Sequence, residues 1–180
     1  SWVRGANYVP SYAPNDVVIW RDFDARIVDR ELGYAAQLGL NSVRTFLQYI
    51  VYEHSPKRFA AHFERFLALC ARHGLTAMPV VFDSCFGQEP TLDWNGHWVM
   101  NPGYSREVSS YWTRLKPYID TVVGNHVGDP RVVIWDVMNE PTFGRTTIDF
   151  VRHWCAVIKA IDPTHPVTVG VAGGASLAAL

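Results

Sequence analysis

Short apolar runs alternate with amphipathic helical stretches along the chain, and this alternation constrains the fold more than any other feature. Runs typical of buried strands are 3–8, 41–46, 76–82, 132–138 and 167–171. A helical stretch separates each run from the next. The sequences Gly39-Leu40-Asn41 and Gly74-Leu75-Thr76 occupy the same helix-to-strand junction in successive units. Repeated βα units of this kind predict a parallel sheet with right-handed crossovers.

The helical stretches carry their own start and stop signals. The first begins at Asp24, and Gly39 is its expected C-cap. Ser55-Pro56 predicts the start of the second, as an N-cap followed by proline at the first helical position, and Gly74 ends it. Asp162-Pro163 ends the fourth. The apolar face of the third stretch consists of Leu115, Tyr118, Ile119 and Val122. That of the fourth consists of Val151, Trp154, Cys155 and Ile158.

Three segments depart from this regular pattern. Pro79 lacks a backbone donor within the third strand, so we expect irregular or locally weak pairing there. The stretch 86–104 has no periodicity, and a loop of that length in a compact domain is usually functional. At the end of the chain, 175–180 resembles the start of another helix.

A doubly wound sheet and an eight-stranded barrel both fit the alternation. A nucleotide-binding sheet would need a glycine-rich turn after its first strand. Tyr8-Val9-Pro10-Ser11 stands there instead and cannot cradle a pyrophosphate. The main reason to prefer a nucleotide-binding sheet is therefore removed.

Composition narrows the class of protein further. The chain has 180 residues, enough for one domain over 1–180, and a net charge of -1 without a basic stripe. This charge argues against nucleic acid and anionic membranes as partners. No apolar run approaches the roughly 20 residues of a membrane span. The 3 cysteines are too widely spaced for a disulfide framework or a zinc ribbon, and we expect no cofactor.

The fourth strand ends in residues that suit acid–base chemistry. Its apolar run is followed by Asn139-Glu140-Pro141, where proline blocks continuation of the strand. A glycosidase needs a carboxylic acid that protonates the leaving oxygen, and a second carboxylate nearby. Glu140, at the carboxyl end of a parallel strand, is the candidate acid, and Asn139 could bind a substrate hydroxyl beside it. The alternative is an ordinary turn without chemistry.

Several stretches, in this order, resemble the retaining β-glycoside hydrolases of clan A, most closely the cellulase-like family 5. They are Arg4-Gly5-Ala6-Asn7-Tyr8, Gly39-Leu40-Asn41-Ser42-Val43-Arg44, Val81-Phe82-Asp83-Ser84-Cys85 and Trp135-Asp136-Val137-Met138-Asn139-Glu140-Pro141. The resemblance implies a (β/α)8 TIM-type barrel, of which this chain holds about the first five strands and four helices. It also implies that Glu140 is the acid/base and that Asn139 binds the sugar 2-hydroxyl.

The resemblance assigns further residues to the substrate site. Arg44 would orient the nucleophilic carboxylate and keep it ionised. Asp83 would face the same rim, although Cys85 stands where many relatives have a histidine. His97 and Trp98, in the long third loop, would approach the sugar, with Trp98 as a stacking surface. Asp136, four residues before Glu140, is expected to point into the barrel as a buried, hydrogen-bonded carboxylate.

The nucleophile of this family is a glutamate at the end of the seventh strand, and no matching residue follows Glu140 in this chain. We therefore expect an amino-terminal part of a longer enzyme, inactive alone, although a second chain or copy completing the barrel and a true short variant remain open. The chain begins at Ser1 without Met, so a removed signal peptide, and hence a secreted or periplasmic location, is compatible with it.

Two other functions compete with a glycosidase acting on β-linked polysaccharide or oligosaccharide. One is a non-catalytic carbohydrate-binding or interaction protein that retains the aromatic residues of the cleft. The other is a metal-dependent hydrolase, which is disfavoured because no pair of the 7 histidines has HExxH spacing.

Overall fold

The computed structural model describes residues 2–85, 87–142 and 144–172, so the helix expected over 175–180 lies outside the described residues. Parallel strands form a single sheet with the order β1-β2-β3-β4-β5. Each strand therefore pairs with the one that follows it along the chain. The strands are β1 (Gly5–Asn7), β2 (Ser42–Phe46), β3 (Thr76–Asp83), β4 (Trp135–Asn139) and β5 (Val167–Gly170).

This strand order decides between the two architectures that the alternation allows. A doubly wound sheet reverses its strand order at a switch point, with helices on both faces. Here the order advances in one direction without reversal, as it does around a barrel. The chain thus forms five consecutive strands of a TIM-type (β/α)8 barrel, and the expected fold class is confirmed.

Among the described residues, four long helices connect the strands, as the sequence predicts. The helices are α1 (Asp16–Arg21), α2 (Ala25–Gln37), α3 (Tyr49–His54), α4 (Pro56–Arg72), α5 (Trp112–Val122) and α6 (Arg145–Ile161). The short helices α1 and α3 were not predicted, because a stretch of 6 residues is too short to establish a helical period. Short 3₁₀ turns cover Tyr104–Arg106, Ser109–Tyr111 and Gly124–His126.

The helix ends follow the local signals. The Asp24 side chain accepts hydrogen bonds from the first backbone N–H groups of α2. Gly39 and Gly74, just beyond α2 and α4, have φ values of +82° and +70°, the left-handed conformation that glycine adopts without strain. Ser55 occupies the N-cap of α4 as expected, but its side chain makes no capping hydrogen bond.

The core lies between the sheet and the helices. Its largest buried side chains are aromatic: Trp20, Trp135, Trp154, Tyr118, Phe59, Phe63, Phe66, Phe82 and Phe150. Cys70 is buried among them, and Cys155 packs against the same cluster, as their positions on apolar faces predict. Within the described part of the chain, no helix is both long and apolar enough to cross a bilayer.

The pairing of β3 changes at Pro79, as expected. On the β2 side the register is continuous through Pro79, from Ser42↔Thr76 to Phe46↔Val80. On the β4 side an isolated bridge joins Ala77 to Val132, and regular pairing resumes only at Val80↔Asp136. The backbone N–H of Ala77 donates to the carbonyl of Arg131, on the β4 side. Backbone N–H groups two residues apart in a strand point to the same side, so the N–H that Pro79 lacks would also have faced β4.

Candidate active site

Polar side chains from three neighbouring strands meet at the carboxyl edge of the sheet. They are Arg44 on β2, Asp83 on β3 and Asn139 on β4. Asn139 links the other two, because its Oδ1 accepts a hydrogen bond from Arg44 Nη2 at 2.9 Å and its Nδ2 donates to Asp83 Oδ1 at 3.0 Å. The parallel barrel brings the ends of these strands together, which is why residues 44, 83 and 139 can form one network.

Arg44 is anchored by a buried carboxylate. Its Nε and Nη2 donate to Asp136 Oδ2 at 2.8 and 2.7 Å, and its Nη1 donates to Asn7 Oδ1 at 3.1 Å. Asp136 is fully buried, and its other oxygen accepts from the backbone N–H of Gly170. Burial raises the pKa of Asp136, an effect that the charge and hydrogen bonds of Arg44 oppose. The prediction that Asp136 is a buried, hydrogen-bonded carboxylate is confirmed.

An irregularity in β4 places Asp136 and Asn139 against the same guanidinium. Residues three apart in a regular strand point to opposite faces. The pairing of β4 with β5 shifts register between Asp136 and Asn139, and both side chains reach Arg44. The irregularity therefore makes Asp136 and Asn139 neighbours across the Arg44 guanidinium.

Glu140 follows the end of β4 in an unusual backbone conformation. Its φ is +46°, which is uncommon for a residue other than glycine. Its backbone N–H donates to the carbonyl of Gly170 at 2.5 Å, and its side chain is exposed. The turn thus carries an exposed carboxylate directly after Asn139, the residue that bonds to Arg44.

Asp83 lies beneath the rim rather than on it. It is only 1% exposed, and its oxygens accept hydrogen bonds from the side chains of Asn139 and Trp98 and from the backbone of Cys85. Burial raises its pKa to about 6, although these hydrogen bonds oppose the increase. A direct sugar contact, expected from the sequence, does not match this geometry. Asp83 instead supports Asn139 and Trp98.

The two residues proposed from the long loop have different environments. Trp98 is half-buried, its Nε1 donates to Asp83 Oδ2 at 2.7 Å, and its ring meets Phe46 edge-on at 4.9 Å. It therefore belongs to the network. His97 is exposed and contacts Trp94, whose Nε1 donates to the His97 carbonyl. Among the described residues, none of the recorded contacts of His97 reaches Asp83 or Asn139.

Two residues at this edge were missed by sequence reasoning. A Cβ atom built on Gly170 would lie 2.8 Å from Arg44 Nη2, so only glycine lets β5 approach the guanidinium. Glu107 is fully buried behind Asn139 and accepts hydrogen bonds from Ser84 and Thr147. Neither had a local signal, because a glycine in a strand and a glutamate in a loop are ordinary in sequence.

The site is built from carboxylate, amide and guanidinium groups. In the described part of the chain, no three His, Cys, Asp or Glu side chains group as metal ligands would. The arrangement can orient a carboxylate and an amide toward a polar substrate, and the Trp98 ring offers an apolar face beside them. Fold and site together define a TIM-barrel domain of the clan A glycoside hydrolases.

Comparison with known proteins narrows this class to a family. Residues 18–178 match the model of Glycosyl hydrolases family 2, TIM barrel domain, and the chain belongs to this family. It is 28% identical over 149 residues to the beta-glucuronidase of Pongo abelii, covering 82% of this chain and 19% of that protein. It is 31% identical over 85 residues to the mannan endo-1,4-beta-mannosidase 2 of Arabidopsis thaliana, covering 44% and 20%.

Solved structures agree with the fold. An exo-beta-1,4-mannosidase from Opitutaceae bacterium strain TAV5 superposes with a TM-score of 0.68 at 20% identity, over 93% of this chain and 31% of the other. The expected clan is thus confirmed, while the likeness to family 5 enzymes is one of fold. The chain spans about one fifth of the length of the curated relatives it matches.

Proposed function

We propose that the complete protein hydrolyses β-linked glycosides with retention of configuration, and that Glu140 is its general acid/base. The observation that carries this proposal is the exposed Glu140, held in a left-handed turn directly after the Arg44-bonded Asn139 at the carboxyl edge of a clan A barrel. Endo-1,4-beta-mannanases are among the solved structures that share this fold, and matches to glucuronidases and mannanases support a β-linked substrate.

In the first step, Glu140 donates its proton to the glycosidic oxygen as the C–O bond breaks. A glutamate from a part of the barrel outside this chain attacks the anomeric carbon and forms a glycosyl ester. Glu140, now ionised, removes a proton from water, which attacks the same carbon and releases the nucleophile. Two inversions give net retention.

Arg44 suits the task of orienting that nucleophile. A guanidinium has five N–H donors, and four of them bond to Asp136, Asn139 and Asn7. The remaining Nη1 donor would bind the incoming carboxylate and keep it ionised. Asn139, fixed by Arg44 and Asp83, would bind the hydroxyl next to the scissile bond, and Trp98 would stack on a sugar face.

The test uses the complete protein with a panel of 4-nitrophenyl β-D-glycosides, including the mannoside and the glucuronide, and with mannan. We expect Glu140→Gln to reduce turnover of unactivated substrates about 10²- to 10⁴-fold while sparing the fold. Glu64→Gln, on the helical side, serves as the control. Near-native turnover of mannan or another cleaved glycan by Glu140→Gln would refute the role of Glu140.

A second experiment identifies the role of Glu140 rather than its importance alone. With an activated 2,4-dinitrophenyl glycoside and added azide, Glu140→Ala should form the β-glycosyl azide, because azide attacks the glycosyl ester without base assistance. Formation of the α-azide would instead identify Glu140 as the nucleophile. Oligosaccharide binding without any turnover of the panel by the wild-type protein would favour the carbohydrate-binding alternative.

A further inference from the structure

Glu107 lies at the centre of a chain of hydrogen bonds behind the turn that carries Glu140. Its carboxyl group is fully buried between β3 and the first turn of α6. Ser84 Oγ lies 3.4 Å from Oε1, and Thr147 Oγ1 lies 2.5 Å from Oε2. The Thr147 hydroxyl in turn lies 3.0 Å from the hydroxyl of Thr142. The hydroxyls thus connect one buried carboxyl group to two separate segments.

These connections end on both sides of Glu140. On one side, the backbone N–H of Ser84 donates to the carbonyl of Asn139 at 3.0 Å. On the other side, Thr142 follows Pro141 and ends the hydroxyl chain. The segment 139–142 is therefore held at both ends by groups that meet at Glu107. Glu140, between them, has a backbone conformation that persists only where its surroundings determine it.

We propose that Glu107, Thr147 and Thr142 are positioning residues that hold the Glu140 turn in its reactive geometry. This inference rests on the proposed role of Glu140 and extends it to residues that do not touch the substrate. The three form a hydrogen-bond relay, which we call the Glu107 relay, in which Glu107 and Thr147 are buried and Thr142 is partly buried.

The relay can operate in either protonation state of Glu107. An ionised Glu107 only accepts, so Thr142 donates to Thr147 and Thr147 donates to the carboxylate. A protonated Glu107 donates to the Thr147 hydroxyl, and the Thr147 hydroxyl then donates to Thr142. Burial raises the pKa of Glu107 to about 7, so both states are populated near neutral pH. A glutamine at this position has a donor and an acceptor and can replace the protonated form.

Because the relay can form with Glu107 either ionised or protonated, a set of variants can separate the effect of positioning from the effect of the Glu107 charge. Thr142→Val removes the last hydroxyl and leaves the buried Glu107–Thr147 pair intact. Glu107→Gln keeps the relay and removes only the titration. Asp149→Asn is the matched control, because Asp149 lies beside Glu107 on the same surface cavity of about 240 Å³ and is exposed outside the relay.

The measurement is kcat and KM of the complete protein on two aryl glycosides of the same sugar, 4-nitrophenyl and 2,4-dinitrophenyl. The sugar is the one cleaved best in the panel. We expect Thr142→Val to lower kcat about 3- to 10-fold on the 4-nitrophenyl glycoside, whose departure needs more acid assistance, and less than 2-fold on the dinitrophenyl glycoside. KM should change less than 2-fold. Glu107→Gln and Asp149→Asn should retain kcat on both substrates.

Two outcomes would overturn the inference while leaving the proposed function intact. One is a Thr142→Val variant with wild-type kcat on both glycosides, although Glu140→Gln is impaired. The other is an equal loss on both glycosides together with a lower melting temperature, which would indicate a purely structural role. If Glu140→Gln itself retains turnover, the proposed function fails, and this inference fails with it.

Discussion

The guanidinium of Arg44 on β2 donates two hydrogen bonds to a single oxygen of Asp136 on β4, at 2.8 and 2.7 Å. The two residues are 92 positions apart in sequence and are separated in the sheet by β3. Asp136 is fully buried, and the Arg44 side chain is 18% exposed. This pair fixes the direction of Arg44 and, through it, the side chain of Asn139. The geometry of the carboxyl edge of the sheet therefore depends on a buried carboxylate.

Asp136→Asn should destabilise the barrel domain by about 2 kcal/mol, because it leaves the partly buried guanidinium without its counter-charge. The unfolding midpoint of the complete protein reports this change. Asp120→Asn is the control, since Asp120 forms an exposed pair with Lys116 on α5 and should change stability by less than about 0.5 kcal/mol. Equal effects of the two variants would contradict the anchoring role.

Gly170→Ala should disturb the site although it adds one methyl group. The new Cβ would lie 2.8 Å from Arg44 Nη2 and 3.4 Å from Asp136 Oδ2, and Arg44 cannot move away without losing its hydrogen bonds. We expect a loss of about 1–3 kcal/mol in the free energy of unfolding, together with reduced kcat. Gly124→Ala is the control, because its Cβ would meet only ordinary contacts. A Gly170→Ala variant as stable and active as wild type would show that β5 can shift to accommodate the added methyl group without cost.

Glu140→Asn should be more stable than Glu140→Gln by about 0.5–1 kcal/mol, because asparagine tolerates the left-handed conformation better. Both variants remove the carboxyl group, so their difference in stability isolates the backbone cost at φ +46°. Denaturant midpoints of the two variants provide the measurement. If the two midpoints coincide, the turn is not strained at this position.

The stability of the domain should fall as pH rises through the neutral range, and Glu107 should contribute to this slope. Its pKa is raised by burial from 4.5 to about 7, so the folded state binds the proton more tightly. The associated stability is fully present below about pH 4.5 and is lost as pH rises through about 7, up to about 3 kcal/mol. Melting temperatures from pH 4.5 to 8 should therefore decline less for Glu107→Gln.

Asp83, with a pKa of about 6, titrates in the same direction and leaves a residual slope in Glu107→Gln. Asp120→Asn is the control for the charge change, because Asp120 is exposed on α5 and pairs with Lys116. That variant should keep the neutral-range slope of the wild type. If the melting temperature of Glu107→Gln falls with pH as steeply as that of the wild type, groups other than Glu107 cause the decline.

Local patterns in the sequence were sufficient for the strands, the four long helices and the candidate acid, but not for the short helices α1 and α3. The helix ends at Gly39 and Gly74 and the break at Pro79 lie where the sequence predicts them, because each depends on the chemistry of a few adjacent residues. The position of Glu140 after an apolar strand is likewise a local signal. Alternating strands and helices predict a parallel sheet, and in such a sheet the carboxyl ends of the strands meet at one edge.

The tertiary structure decided what these residues touch. The strand order, which distinguishes a barrel from a doubly wound sheet, is a property that alternation leaves open. The register shift that brings Asp136 and Asn139 to one guanidinium breaks the period-two rule, so it could not be read from that rule. Gly170 and Glu107 matter because of partners far away in sequence, and such long-range contacts leave no periodic trace in the chain. The sequence by itself predicted the strands, the long helices and the candidate Glu140, whereas packing determined the network of Arg44, Asp136, Asn139 and Asp83.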